Sequence, residues 1–324
     1  MIAPLSVPLL DPQTFVRQTI IGIQNGFVLF LIASGLTVIL GILDVLNLAH
    51  GELFALGSFI SLSVFGFVTG SIMPPPQTLD AVSVTMFIGL VLVAALVSAA
   101  VMFPVGAVVE AVFIRPIYDR DESYQLVLTF AVLLIIADFI QLVWGSANTS
   151  LFALRSTINL VPTFGLVGLS GIPSTSIFII LIGILVGGGL FYFFNRTRTG
   201  RIIRATAIDR EMAQALGVSP DRTFTLVFAF GAFLAGFAGG MRAIATGPQL
   251  GMGESALVQS FVVIVVGGLG SLRGALVGAL VVGVLGSWMV RIYPPLQTAA
   301  PFLVMLAVLL VRPEGLFGSW GERE

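Results

Sequence analysis

Two residue types are absent from this sequence of 324 residues: it contains no cysteine and no lysine, so all fifteen basic residues are arginines. Without cysteine the chain cannot form a disulfide or a thiolate metal site. Without lysine it has neither the P-loop lysine of an ATPase nor the amine of a Schiff base. The single histidine, His50, excludes a multi-histidine metal centre. We therefore expect no metal, no cofactor and no enzymatic activity, and any ATP hydrolysis must occur on another subunit.

Charge is also scarce, since 10% of the residues are charged and 57% are hydrophobic, with a mean hydropathy of +1.08. A soluble domain of this size could not bury so much apolar surface. The net charge of -1 offers no footprint for nucleic acid. Because backbone polar groups inside a bilayer must be satisfied within the chain, we predict an all-α polytopic transmembrane bundle, with residues 1–324 as a single membrane domain.

Nine apolar stretches approach the length of about 20 residues that a helix needs to cross the hydrocarbon core. They are residues 16–42, 53–72, 85–109, 124–144, 174–194, 223–245, 257–270, 275–290 and 296–311. The seventh and eighth are short and interrupted by glycine, which predicts broken or re-entrant helices. We expect eight to nine membrane crossings.

Arginine placement predicts the orientation, because cytoplasmic loops are enriched in basic residues. With the N-terminus outside and the C-terminus in the cytoplasm, eleven arginines face the cytoplasm, whereas three face outside: Arg17, Arg155 and Arg291. The eleven are Arg115, Arg120, Arg196, Arg198, Arg201, Arg204, Arg210, Arg222, Arg273, Arg312 and Arg323. Six of them lie in one polar loop at residues 195–222.

The 37 glycines include pairs at a spacing of four residues, which lets membrane helices approach closely. Gly236 with Gly240 forms one such pair, and Gly270, Gly274 and Gly278 form a run. Ordinary helix packing is the favoured interpretation. The alternative is that residues 266–271 form a break that lines a transport pathway.

Polar residues cluster between the first two apolar stretches, where Asp44, Asn47, His50 and Glu52 fall within nine positions. If this segment is helical, the first three share one side, because they step by three residues. Two interpretations stay open: a polar site at membrane depth, or an ordinary inner loop.

Two further charges, Asp138 and Arg242, lie inside apolar stretches. Ionisable groups at membrane depth usually face a cavity or a partner. We expect Asp138 and Arg242 to pair across the bundle in a structural role. The alternative is that they flank a substrate entrance.

Four segments carry a resemblance to a known family in order along the chain. They are Gly35-Leu36-Thr37-Val38 with Asn47-Leu48-Ala49-His50-Gly51-Glu52, the loop from Arg198 to Val218, Gly267-Gly268-Leu269-Gly270-Ser271, and Arg312-Pro313-Glu314-Gly315-Leu316-Phe317-Gly318. Together they resemble the permease subunits of branched-chain amino-acid ABC transporters, in the shorter of the two permease types. Relatives within this family that carry urea or short amides have similar signatures.

The resemblance implies a multi-pass subunit in the cell (cytoplasmic) membrane with three kinds of partner. These are a homologous second permease, two cytoplasmic ATP-binding subunits and an extracytoplasmic substrate-binding protein. The substrate path is then expected between the two permeases, along the first, second, seventh and eighth spans. The residues expected to shape it are Asn47, His50, Gly51, Glu52, Gly267, Gly268 and Gly270.

The loop also resembles the ATPase-coupling motif of ABC permeases, with Glu211, Ala213 and Gly217 at its spacing. Residues 209–216 can form a short helix that Gly217 terminates and that Pro220 prevents from extending. The alternative is a solvated loop whose arginines bind anionic membrane lipid.

A different class of function also stays open, namely a stand-alone proton-coupled secondary carrier. It would use His50, Glu52 and Asp138 as a proton relay and would need no ATPase partner.

Overall fold

The computed structural model of the chain describes residues 12–72, 81–118, 120–145, 163–166 and 169–318. Its helices are α1 (Pro12–Leu43), α2 (His50–Ile72), α3 (Ala81–Val109), α4 (Glu122–Trp144), α5 (Ser174–Arg196), α6 (Arg198–Ile208), α7 (Arg210–Ala215), α8 (Pro220–Thr246), α9 (Met252–Gly267), α10 (Leu272–Ile292) and α11 (Ala300–Val311). A π turn (Glu110–Ile114) and a 3-10 turn (Arg115–Ile117) continue α3, and a second 3-10 turn (Pro294–Leu296) precedes α11. One antiparallel hairpin of two strands, β1 (Thr163–Leu166) and β2 (Leu169–Pro173), precedes α5.

The polytopic helical bundle is confirmed. Among the described residues, seven helices are long and apolar enough to cross a membrane, and two shorter apolar helices, α9 and α11, accompany them. The predicted short seventh stretch corresponds to α9, which has 16 residues. The predicted interruption of the eighth stretch is wrong, because α10 continues for 21 residues. Its glycines Gly274, Gly278 and Gly283 lie where other backbones contact the helix, and they do not interrupt it.

The core of the bundle consists of α1, α2 and α8, whose middle sections are buried on nearly all sides. Helix α8 packs most extensively on α3, α2 and α1, and α1 packs along α10. Fully buried Phe30 of α1 and Phe228 of α8 belong to this core. By contrast α4, α5 and α11 expose Leu142, Leu185 and Leu310, as expected for surfaces in contact with lipid.

Glycine determines where the core helices touch. A side chain on Gly57 of α2 would overlap the backbone of Gly236 in α8, and one on Gly240 would overlap Ala95 of α3. Likewise a side chain on Gly274 would overlap the backbone of Gly267. Close backbone approach replaces the hydrophobic driving force that lipid cannot provide. The packing interpretation is confirmed for Gly236, Gly240, Gly274 and Gly278, whereas Gly270 lies in the turn between α9 and α10 with a φ of 76°.

The link between α1 and α2 differs from the helical arrangement considered above. Asp44 has a left-handed backbone (φ 54) and is exposed, so it does not share a face with Asn47 and His50. Asn47 is buried, and its Oδ1 accepts a hydrogen bond from the backbone N of Ala49 at 3.1 Å. The Asn47 side chain therefore stabilises the turn that starts α2.

Two arginines of the predicted orientation, Arg155 and Arg323, lie outside the described residues.

Candidate functional site

A cavity of about 540 Å³ lies between α1, α8, α9 and α10; we call it the Arg242 cavity. Its size falls within the range of about 300–1,000 Å³ that is usual for small-molecule sites. Its apolar lining includes Ile21, Val28, Leu29, Ile32, Phe54 and Val282. Its polar lining includes Gln18, Asn25, Arg242, Thr246, Gln249, Ser255, Gln259 and Ser287.

Arg242 is the charged residue of this lining within the described part of the chain. Its Nη1 donates a hydrogen bond to Asn25 Oδ1 at 3.1 Å, which joins α8 to α1. The expected pairing of Arg242 with Asp138 is wrong. Asp138 is exposed on α4, which packs against α2 and the π turn, and the ion pair found among the described residues joins Arg115 to Glu110.

The segment between α8 and α9, residues 247–251, is not helical and also lines the cavity. Gly247 and Gly251 have positive φ angles of 73° and 77°, which glycine adopts without strain. Irregular backbone at membrane depth is tolerated where it lines a cavity. This segment was not among the predicted site residues, although the dipeptide Gly247-Pro248 is a recognisable helix breaker.

His50 lies directly behind the cavity. Its Nε2 is 3.1 Å from the backbone O of Ile32, a lining residue, and the ring packs against Gly35. His50 is fully buried, and its Nδ1 has no hydrogen-bond partner within the described residues. The same is true of Nδ2 of Asn47. His50 thus connects the start of α2 to the wall of the cavity.

Gly51 and Glu52 contact the start of α9. A side chain on Gly51 would overlap the backbone O of Gly253, and the Glu52 carboxylate occupies the space beside Gly253. Glu52 is buried at 3% exposure. Neither Gly51 nor Glu52 lines the Arg242 cavity.

The three later glycines lie in or beside the turn between α9 and α10. Gly268 and Gly270 have φ angles of 99° and 76°, so the predicted break in the chain is present here. The C-terminal segment covers this turn, since Leu316 N and Phe317 N donate to the backbone O atoms of Val266 and Gly267 at 2.9 Å. This contact joins residues about 50 positions apart in the sequence, and no local pattern predicts it.

Gly270 also lines a smaller cavity of about 240 Å³, which we call the Gly270 cavity. Its lining includes Thr37 and Gly41 of α1, together with Arg204 and Arg273. Both cavities therefore border α1, the Arg242 cavity along residues 18–32 and the Gly270 cavity along residues 37–42.

The predicted short helix in the polar loop is confirmed as α7. Asp209 caps its start, since Oδ1 accepts from Met212 N at 2.8 Å. Its end has the two bonds of a Schellman motif: Gly217 N donates to Gln214 O at 2.9 Å, and Val218 N donates to Ala213 O at 3.0 Å. Gly217 has a φ of 86°, so it ends the helix as predicted.

Helix α7 is exposed on most of its surface. Glu211 and Gly217 are exposed, whereas Ala213 is buried against the rest of the protein. Three large apolar side chains of this loop are also exposed, and we call them the apolar row: Ile208 ends α6, Met212 lies on α7 and Leu216 directly follows α7. Large apolar side chains exposed this close together on a polar loop are typical of a surface that a partner covers.

Aromatic and ionic contacts hold α7 against the bundle. The guanidinium of Arg210 lies 5.0 Å from the Phe224 ring centre, and Tyr118 packs edge-on against the same ring. Tyr118 Oη donates to Glu110 at 2.9 Å, and burial together with this carboxylate raises the pKa of the phenol above its ordinary value. The phenol therefore stays protonated, and α7 rests on a fixed support at the start of α8.

No group of three or more histidine, cysteine or acidic residues that could hold a metal is present among the residues that the structure describes.

Comparison with known proteins gives consistent matches. Residues 19–310 match the family model described as "Branched-chain amino acid transport system / permease component". The permease LivH of Salmonella typhimurium is 29% identical over 94% of this chain and 96% of its own length. BraD of Pseudomonas aeruginosa is 30% identical over the same shares, and a probable LivH of Methanocaldococcus jannaschii is 26% identical over 90% and 88%. No solved structure matches the chain.

Proposed function

The chain belongs to the family of branched-chain amino-acid transport permease components, and from this premise we propose that it is the membrane-spanning subunit of an ABC importer for branched-chain amino acids. In this proposal a homologous permease pairs with it, two ATP-binding subunits dock on its cytoplasmic face, and an extracytoplasmic binding protein delivers the substrate. The full-length match to permeases named for branched-chain amino acids supports the choice of substrate.

The observation that carries the coupling role is the exposed and rigidly capped helix α7. Glu211 and Gly217 are exposed on it, the buried Ala213 packs inward, and the apolar row offers a surface for a groove in an ATPase. A short helix held at both ends can transmit the rigid-body motion of a partner. A loop that only bound lipid headgroups would need none of these capping bonds.

The proposed orientation puts the N-terminus outside and α7 in the cytoplasm. This orientation places the arginines of residues 195–222 on the side where basic residues are favoured. It also places the Arg242 cavity in the outer half of the bundle. In this orientation α1 begins outside, and Asn25 lies in its first half; α8 ends outside, and Arg242 lies near that end.

We further propose that the substrate path follows α1 from the Arg242 cavity to the Gly270 cavity. Gly267, Gly268 and Gly270 would then shape its inner end. Four predicted residues would act indirectly, by holding α1, α2 and α9 in position around the path and not by lining it: Asn47, His50, Gly51 and Glu52. The roles of these residues in transport stay predictions.

The proton-relay alternative is less well supported by the arrangement of its residues. His50 bonds to a backbone carbonyl, Glu52 packs beside Gly253, and Asp138 is exposed on α4. No hydrogen bond within the described part of the chain links any two of the three.

The test is solute uptake into proteoliposomes that contain this chain, its partner permease, the ATPases and the binding protein. We expect leucine and valine to accumulate only when ATP is supplied on the side of the ATPases. Equal accumulation driven by a proton gradient without ATP would show a secondary carrier instead. Uptake of urea but not leucine would move the protein to the amide-carrying relatives.

A further inference from the structure

The geometry points to Arg242 as the group that binds the substrate carboxylate during translocation, with Asn25 holding its guanidinium in place. This inference rests on the proposed function and names the recognition site within the path.

The first argument is the uncompensated charge of Arg242. A cation within a bilayer is costly unless a partner or water compensates it. The described part of the chain supplies no carboxylate at ion-pair distance from Arg242. Its hydrogen bond to Asn25 uses one of the five N–H donors of a guanidinium, which leaves the others for a ligand. A carboxylate accepts two such donors side by side.

The second argument is the arrangement of the lining. Asn25, Leu29 and Ile32 recur at helical spacing on α1, so they present one continuous face to the cavity. Arg242 of α8 bonds to Asn25 on this face, the aliphatic Leu29 and Ile32 lie one and two turns further along α1, and Phe54 of α2 adds to the apolar lining. A branched-chain amino acid has the matching form, with a carboxylate at one end and an aliphatic side chain at the other.

The alternative is a structural role, in which Arg242 only fastens α8 to α1 through Asn25. The variant Arg242→Gln separates the two roles, because a glutamine amide can still donate to Asn25 while the positive charge is lost. The matched control is Arg291→Gln, the same chemical change at an exposed arginine of α10.

Both variants are tested in the complete reconstituted importer with leucine-loaded binding protein. We expect Arg242→Gln to lower leucine uptake by about tenfold or more, since hydrogen bonds to charged groups are stronger than those between neutral groups. Stimulation of ATP hydrolysis by the loaded binding protein should persist, because docking and coupling do not involve the cavity. Arg242→Lys should restore part of the uptake, and Arg291→Gln should leave both activities unchanged.

Normal uptake by Arg242→Gln would overturn the inference, and so would a parallel loss of uptake and of ATPase stimulation. If the wild-type complex takes up no leucine, the proposed function itself fails. The wild-type control thus distinguishes failure of the proposed function from failure of the inference about Arg242.

A second measurement tests the site without mutating Arg242 and without transport. Because the chain has no cysteine, Ser255→Cys places one thiol in the cavity lining. We expect leucine to slow labelling of this thiol by a methanethiosulfonate reagent, and leucinamide, which lacks the carboxylate, to have little effect. Equal protection by both compounds, or protection by neither, would overturn the inference.

Discussion

At the scale of single residues, the packing of the bundle depends on positions where the absence of a side chain matters. Gly57 lies against the backbone of Gly236 at the crossing of α2 and α8, whereas Gly188 of α5 has open space around it. Both are helical glycines, so a methyl group has the same effect on helix propensity at each. The difference in stability between alanine variants at Gly57 and Gly188 therefore measures the effect of close helix approach alone.

We predict that Gly57→Ala lowers the free energy of unfolding by about 1–3 kcal/mol, because added volume in a tight contact forces the backbones apart. Gly188→Ala should be neutral or stabilising by up to about 1 kcal/mol, from the helix propensity of alanine. Thermal unfolding of the purified protein in detergent measures both. Equal melting temperatures for the two variants would contradict the packing account.

At the scale of elements, the capped helix α7 is where sequence and structure agree most closely. Asp209 and Gly217 mark its two ends in the sequence, and the corresponding capping bonds are present. The apolar row, by contrast, is a property of the folded surface. Its function depends on a partner groove.

We predict that Leu216→Glu weakens association with the ATP-binding subunits, because it places a charge in an apolar contact. The matched control is Gln214→Glu, which adds the same charge at an exposed position of α7 outside the apolar row. Co-purification of ATPase with the permease measures the effect. Recovery of the ATPase should fall for Leu216→Glu alone, and equal recovery with both variants would exclude the row as a docking surface.

We also predict that Gly217→Val and Glu211→Gln reduce uptake while the permease remains in the membrane. Valine at Gly217 must adopt a left-handed backbone, which costs about 1–2 kcal/mol and loosens the end of α7. Uptake and ATP hydrolysis are measured together in proteoliposomes. Full uptake by both variants would rule out a coupling role.

The sequence predicts elements well where local signals decide them. Apolar length indicated the long helices, and turn residues indicated the ends of α7. Pairing across the bundle was not predictable, because it depends on which helices become neighbours: Arg242 meets Asn25 on α1, while Asp138 lies on a helix that packs elsewhere. The Arg242 cavity was not predicted for the same reason, since its lining comes from six separate helices and the non-helical residues between them.

At the scale of the whole molecule, the proposal requires one orientation in the membrane. Because the chain contains no cysteine, a single introduced thiol can report directly on which side of the membrane its position lies. Two exposed glutamines suit this check. The proposal places Gln297, before α11, on the outer side of the membrane and Gln214, on α7, on the cytoplasmic side.

We predict that Gln297→Cys reacts with a membrane-impermeant thiol reagent added outside intact cells, and that Gln214→Cys reacts only after the membrane is opened. The reason is that the arginine-rich side of the bundle faces the cytoplasm. Labelling of Gln214→Cys in intact cells would show that the orientation is reversed.

The most direct test of the central claim is ATP hydrolysis by the assembled importer, measured with and without leucine-loaded binding protein. The account predicts that hydrolysis rises with the loaded binding protein, and that omission of this chain abolishes the rise. Hydrolysis that is unaffected by leucine, valine and the presence of this chain would contradict the claim that it is the permease that couples the ATPases to substrate.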